Sequence, residues 1–195
     1  MLGMVRLLTP MLPDRVDGGR LGGTPPMALD GHPLLDTHRY LMTLPAEIAP
    51  WTGGAEVSLL LRTGFSVGDD DLEYPNLPVR AIMHAPSPRG NREDATWPGL
   101  RAAALENLPD STSTPALVRV SDAPELAQRE NAYADAVLAD GHSFLFQIDE
   151  DGWPVDGDLG NVIEEYLWGY GVAYFFGTPG ADGVVRDILA GFIDL

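Results

Sequence analysis

Apolar positions in this chain come in short bursts broken by Gly, Pro and acidic residues, a pattern of many turns and short strands. His38–Leu44 and Val57–Arg62 read as strands, joined by a loop holding Pro45, Pro50 and Trp51. Val79–His84 reads as another, ended by Pro86 and Pro88, and Ala116–Val120 alternates in the same way. Phe144–Ile148 and Gly171–Phe176 are the most apolar runs. Three segments have helical spacing instead. Pro98–Leu108 is rich in helix formers behind Thr96 as a cap. A second helix is expected from Asp122 to about Ala139, with Pro124 and Glu125 in its first turn and Gly141 at its end. The third is Val184–Leu195, with Val185, Ile188, Leu189 and Phe192 facing inward.

Two stretches echo one another. His38-Arg39-Tyr40-Leu41-Met42-Thr43-Leu44 aligns with His142-Ser143-Phe144-Leu145-Phe146-Gln147-Ile148. Each is followed by a Gly-led apolar run, Gly54–Leu61 and Gly169–Phe176. Repeated strand–loop–strand units bury a shared core by pairing. The expected fold class is therefore α+β: two related strand-rich halves, approximately 20–90 and 115–195, around one core, with a few helices in the middle and at the C-terminus.

A length of 195 residues suits one domain or two half-size units on a common core. The net charge of −17 is large for that size. It repels nucleic-acid phosphates and anionic membranes and favours cationic partners. All 12 basic residues are Arg, so mechanisms needing a P-loop lysine, a Schiff-base lysine or a Ser–Lys dyad are excluded. The absence of Cys excludes disulfides, thiolate metal sites and a cysteine nucleophile, and fits a reducing cytoplasm. The apolar start of the chain is broken by Arg6, Pro10 and Pro13, unlike a signal peptide, so the expected location is cytoplasmic.

The run Phe144-Leu145-Phe146-Gln147-Ile148-Asp149, an acidic turn, and Trp168-Gly169-Tyr170-Gly171 before an aromatic strand resemble the C-terminal signature of the YwqG-like family of uncharacterised bacterial proteins. Gly22-Gly23-Thr24-Pro25 is similar to that family's Gly-Gly-x-Pro element. Tyr170 stands where the family usually has Asp. The resemblance implies a single α+β domain over 1–195 with two related halves, and it implies no activity.

Three kinds of chemistry are open to these residues. Asp149, Glu150, Asp151, Asp156 and Asp158 form a dense acidic turn, followed by Glu164 and Glu165, and Asp149, Asp151, Asp156 and Asp158 are its candidate ligands for Ca2+ or Mg2+. The EF-hand pattern fails there, because Trp153 and Gly160 fall at its fifth and twelfth positions, and no cofactor is expected. Gly64-Phe65-Ser66-Val67-Gly68 matches a nucleophile elbow, with His84 or His142 as the candidate base. It runs into Asp69-Asp70-Asp71 rather than a helix, and carboxylates oppose an oxyanion. Finally, Trp51, Trp97, Trp153 and Trp168 sit in or beside Pro/Gly turns and are candidate anchors for a cationic partner, with Asp149 and Asp151 as binding carboxylates. The expected function is a non-enzymatic binding or inhibitory module for a basic protein or cationic ligand. A hydrolase, metal-assisted at Asp149–Asp158 or serine-dependent at Ser66, is the alternative.

Overall fold

Ten antiparallel strands form one continuous sheet in the computed structural model, which describes residues 5–12, 18–68, 72–109, 115–127, 131–154 and 157–195. The strands are β1 (Arg6–Met11), β2 (Gly19–Leu21), β3 (His38–Leu44), β4 (Glu56–Arg62), β5 (Val79–His84), β6 (Ala103–Leu108), β7 (Val118–Val120), β8 (Ser143–Asp149), β9 (Val172–Pro179) and β10 (Val185–Asp194). Their order is β10-β9-β8-β7-β1-β6-β2-β3-β4-β5. The two ends of the sheet curl together. Tyr74 N donates to Gly191 O and Ile193 N to Leu72 O, both at 2.8 Å, so the chain entering β5 is stitched to β10 and the sheet is a nearly closed barrel. Closure satisfies edge groups that would otherwise be open to other chains.

That order reads the same from both ends when β1–β5 are exchanged with β6–β10. The two first strands lie at the centre and are crossed over: β1 pairs with β6 and β7, and β6 with β1 and β2. The hairpins that flank them share a bulge. Tyr40 faces Leu60 and Met42 faces Leu59, leaving Leu41 as the extra residue. Phe144 faces Phe176 and Phe146 faces Phe175, leaving Leu145. The first strands of the echo are thus in register, but the Gly-led runs are not. Leu44 faces Val57 and Ile148 faces Ala173, so Val57 corresponds to Ala173, one residue later than the Gly-led alignment places it. A shift of one residue moves every side chain to the opposite face, so the pairing decides the equivalence.

The α+β expectation is overturned: the molecule is strand-rich, and its one α-helix among the described residues is α1 (Asp135–Ala139). Each misread helix has a separate cause. Ala103–Leu108 has helix-forming residues, yet it lies between β1 and β2, where only an extended chain satisfies both neighbours. The expected Asp122–Ala139 helix is present in its second half, as a 3-10 turn (Asn131–Ala134) leading into α1, while 128–130 lie outside the described residues; near Glu125 other side chains take the backbone groups a helix would use. Gln147 Oε1 accepts from Glu125 N at 2.8 Å, Gln147 Nε2 donates to Glu125 O at 3.1 Å, and Tyr174 OH donates to the same carbonyl at 3.0 Å. The C-terminal segment is β10, whose register shifts between Val185 and Ile188 and again between Ala190 and Phe192. Two breaks in a period of two imitate a helical period, which is why Val185, Ile188 and Phe192 read as one helix face.

The main core fills the barrel interior and includes Leu8, Leu21, Leu41, Leu59, Phe146, Phe175 and Trp168. Two smaller clusters cover the outside of each hairpin. Tyr40 and Leu60 pack under Leu29 and Leu35. Tyr174, Phe176 and Phe192 pack under Val137 of α1. Burial on both faces explains the continuous apolar runs of β4 and β9. No helix among the described residues is long and apolar enough to cross a membrane.

Candidate functional site

The segment linking β8 to β9 is organised by one carboxylate. Glu150 follows β8 in a 3-10 turn and is fully buried. Its oxygens accept from Leu167 N at 2.5 Å, Trp168 N at 3.3 Å, Tyr170 N at 2.8 Å and Gly171 N at 3.1 Å. Burial pushes its carboxyl above the usual range, and the four backbone donors pull part of the way back. Trp168 is buried beside it and donates Nε1–H to Gly171 O at 3.1 Å. Tyr170 has φ 70°, the left-handed region that Tyr seldom adopts. Its hydroxyl donates to Asp151, and its ring meets Tyr166 edge-on with centroids 4.9 Å apart.

This anchored segment forms one wall of a groove of 490 Å³. Ile163, Glu164, Glu165, Tyr166 and Leu167 face Phe65, Ser66, Val67, Trp97 and Pro98 across it. Arg101 N donates to Val162 O at 2.7 Å, and Leu100 bridges Ile163, which pins this wall to the chain approaching β6. Glu164, Glu165 and Tyr166 are exposed and Trp97 is half-buried. None of the described residues lining the groove is basic or a histidine. Aromatic faces beside carboxylates, without a competing cation, suit a positively charged group. A smaller cavity of 160 Å³ lies along the same segment, sharing Ile163–Tyr166 and walled also by Trp153, Pro154, Asn161 and Val162.

The residues singled out in the sequence do not converge. Trp168 and Trp153 are buried, and Trp51 is half-buried with its ring stacked on Phe146 at 6.1 Å. Asp149 caps its own turn by accepting from Asp151 N at 2.9 Å, and burial pushes its carboxyl up. Asp151 takes the Tyr170 hydroxyl, Asp158 is exposed, and Asp156 lies outside the described residues. Among the described residues no three His, Asp or Glu side chains are grouped to hold a metal ion. Ser66 is exposed on the groove wall. His84 uses Nε2 on Ser58 Oγ and donates Nδ1–H to Ala85 O, both at 2.8 Å, while His142 Nδ1 meets Thr178 Oγ1 at 2.9 Å.

Two arrangements escaped the sequence reading. Trp97 is among the candidate anchors read from the sequence, but its meeting in the groove with the Glu164–Tyr166 run, remote in sequence, was not legible. The second is a buried polar chain. Tyr40 OH, Thr43 Oγ1, Ser58 Oγ and His84 Nε2 are linked in steps of 2.8 Å. His84 Nδ1 lies 3.8 Å from Glu56 Oε2, which Arg20 Nη2 meets at 3.1 Å. Serine, histidine and glutamate are the groups of a hydrolytic triad. Here Ser58 has no exposed surface and its hydroxyl is also shared with Thr43, so a substrate has no route to it and the chain holds β3, β4 and β5 together.

No protein-family model matches the chain, and no curated protein matches it.

Proposed function

We propose that this protein is an acidic binding module that takes a basic protein segment or other cationic ligand in the groove between Trp97 and Glu164–Leu167. The observation that carries the reading is the lining itself: Phe65, Trp97 and Tyr166 rings with the Glu164 and Glu165 carboxylates and no basic side chain among them. A cation there gains ring and carboxylate attraction together. The net charge of −17 adds long-range attraction for such a partner and weakens as salt is raised. Work in the cytoplasm and kinship with the YwqG-like family accompany this reading as proposals, resting on the lack of Cys and on the Gln147-Ile148-Asp149 and Trp168–Gly171 elements.

Calorimetric titration with an arginine-bearing peptide tests it. Saturable binding is expected, weakened about tenfold or more in Trp97→Ala and in the double variant Glu164→Gln, Glu165→Gln. Affinity unchanged in both variants would remove the groove from the function.

A further inference from the structure

Gly169 and Tyr170 follow one another in the left-handed region, with φ 71° and 70°. Glycine adopts that conformation freely, whereas the Cβ of a tyrosine is crowded there. At Gly169 the choice of glycine has a plain cause: a Cβ would lie 3.3 Å from Val67 Cγ1, on the opposite wall of the groove. At Tyr170 the strained backbone is held by the buried Glu150 carboxylate, which accepts from Tyr170 N at 2.8 Å and from Gly171 N at 3.1 Å. Packing into the core does not account for a tyrosine here, because Tyr170 is 55% exposed. Its side chain has two other engagements. The hydroxyl donates to Asp151, and the ring meets Tyr166 edge-on, with centroids 4.9 Å apart and planes at 77°. Tyr166 lines the groove and is itself 40% exposed.

We infer, building on the groove as the binding site, that Tyr170 is its positioning residue: a strained tyrosine, clamped at its backbone by Glu150 and at its hydroxyl by Asp151, whose ring fixes the Tyr166 ring as a groove wall. Tyr170 is not among the lining residues, so it acts through Tyr166. An exposed ring left to itself samples several rotamers and loses that freedom when a ligand orders it. A ring already braced by a neighbour loses less, and the cation is bound more tightly for it. The same reasoning explains why the strain persists. Glycine or asparagine would suit the left-handed backbone better, but neither carries a ring to brace Tyr166. Strained residues held in place by their surroundings are a recurrent feature of binding sites for this reason.

The experiment titrates acetyl-Gly-Arg-Gly-amide by calorimetry into the intact chain, Tyr170→Asn and Tyr170→Phe. Asparagine tolerates the left-handed conformation and deletes the ring; phenylalanine keeps the ring and deletes the hydroxyl. Tyr170→Asn is expected to bind about two- to tenfold more weakly, the range that one edge-to-face ring pair supports, and Tyr170→Phe to stay within about twofold of the intact chain. The backbone amide resonances of Leu167 and Trp168, which Glu150 also holds, should keep their positions in Tyr170→Asn, so that the loss is read on an intact turn. Unchanged affinity in Tyr170→Asn overturns the positioning role and leaves the groove reading standing. So does a loss accompanied by displaced Leu167 and Trp168 resonances, which would make Tyr170 a structural residue of the turn, and so does an equal loss in Tyr170→Phe, which would assign the effect to the hydroxyl. No binding of the peptide by the intact chain overturns the groove reading itself, and the positioning role with it.

Discussion

The two hairpins β3–β4 and β8–β9 have the same bulge and the same register, yet opposite uses for the same pair of positions. Thr43 faces Ser58 in the first, and Gln147 faces Tyr174 in the second. The short hydroxyls of Thr43 and Ser58 bond each other at 2.8 Å and extend the chain to Tyr40 and His84, knitting neighbouring strands. The longer Gln147 and Tyr174 reach past the sheet and hold Glu125 and Ala127 by their backbones. The connections differ in the same sense. Residues 45–55 form a tight link tied by Thr52, whose hydroxyl donates within hydrogen-bond distance of Ala46 O and Ala49 O. Residues 150–171 form a long one tied by Glu150, and this is the link that walls the groove. One scaffold carries a short, closed half and a half whose inserted segment is free to build a site.

The largest effect should come from removing the two ties. Glu150→Ala strands four backbone donors, three of them in buried hydrogen bonds, and is expected to cost about 3 kcal/mol or more, against about 1 kcal/mol for Thr52→Ala, both read from chemical denaturation. Equal losses would break the contrast between the links. Ser58→Ala and Tyr174→Phe come next, at about 1–2 kcal/mol each. They sharpen the contrast by place: hydrogen exchange should rise along β3–β5 for Ser58→Ala and around 125–127 for Tyr174→Phe. The smallest effect is in pH. Glu150 and Asp149 both have carboxyls raised by burial, so the folded state binds their protons more tightly than the unfolded one. Their contribution to stability is greatest below the ordinary values of 4.5 and 3.8, and it falls as pH rises toward the raised ones. The melting temperature should decline over that window, and less so in Glu150→Gln; a rise in the wild type would reverse the sign of both shifts.

Strands with a strong local signal were legible. His38–Leu44 and Val79–His84 coincide with β3 and β5, and the apolar runs around Phe146 and Phe175 are β8 and β9. β1, β6 and β10 were not, for different reasons. Arg6–Met11 contains Pro10 and an uninformative apolar run, Ala103–Leu108 has the composition of a helix, and the bulges of β10 scramble its alternation. The acidic excess and the aromatic turns led to the expectation of a cationic partner; of the four tryptophans in those turns, Trp153 and Trp168 are buried in the core, Trp51 and Trp97 pack against it, and Trp97 lines the groove.

By itself the sequence determined that the chain would be built from short strands and turns, that two stretches of it are related, and that its charge favours cations over phosphates. These depend on side-chain type and local spacing, which are written in order along the chain. Only the tertiary structure decided the exchange of β1 and β6, the one-residue correction to the repeat, and the meeting of Trp97 with Glu164–Tyr166. Each rests on pairing between segments far apart in sequence, where backbone hydrogen bonding and burial outweigh local propensity.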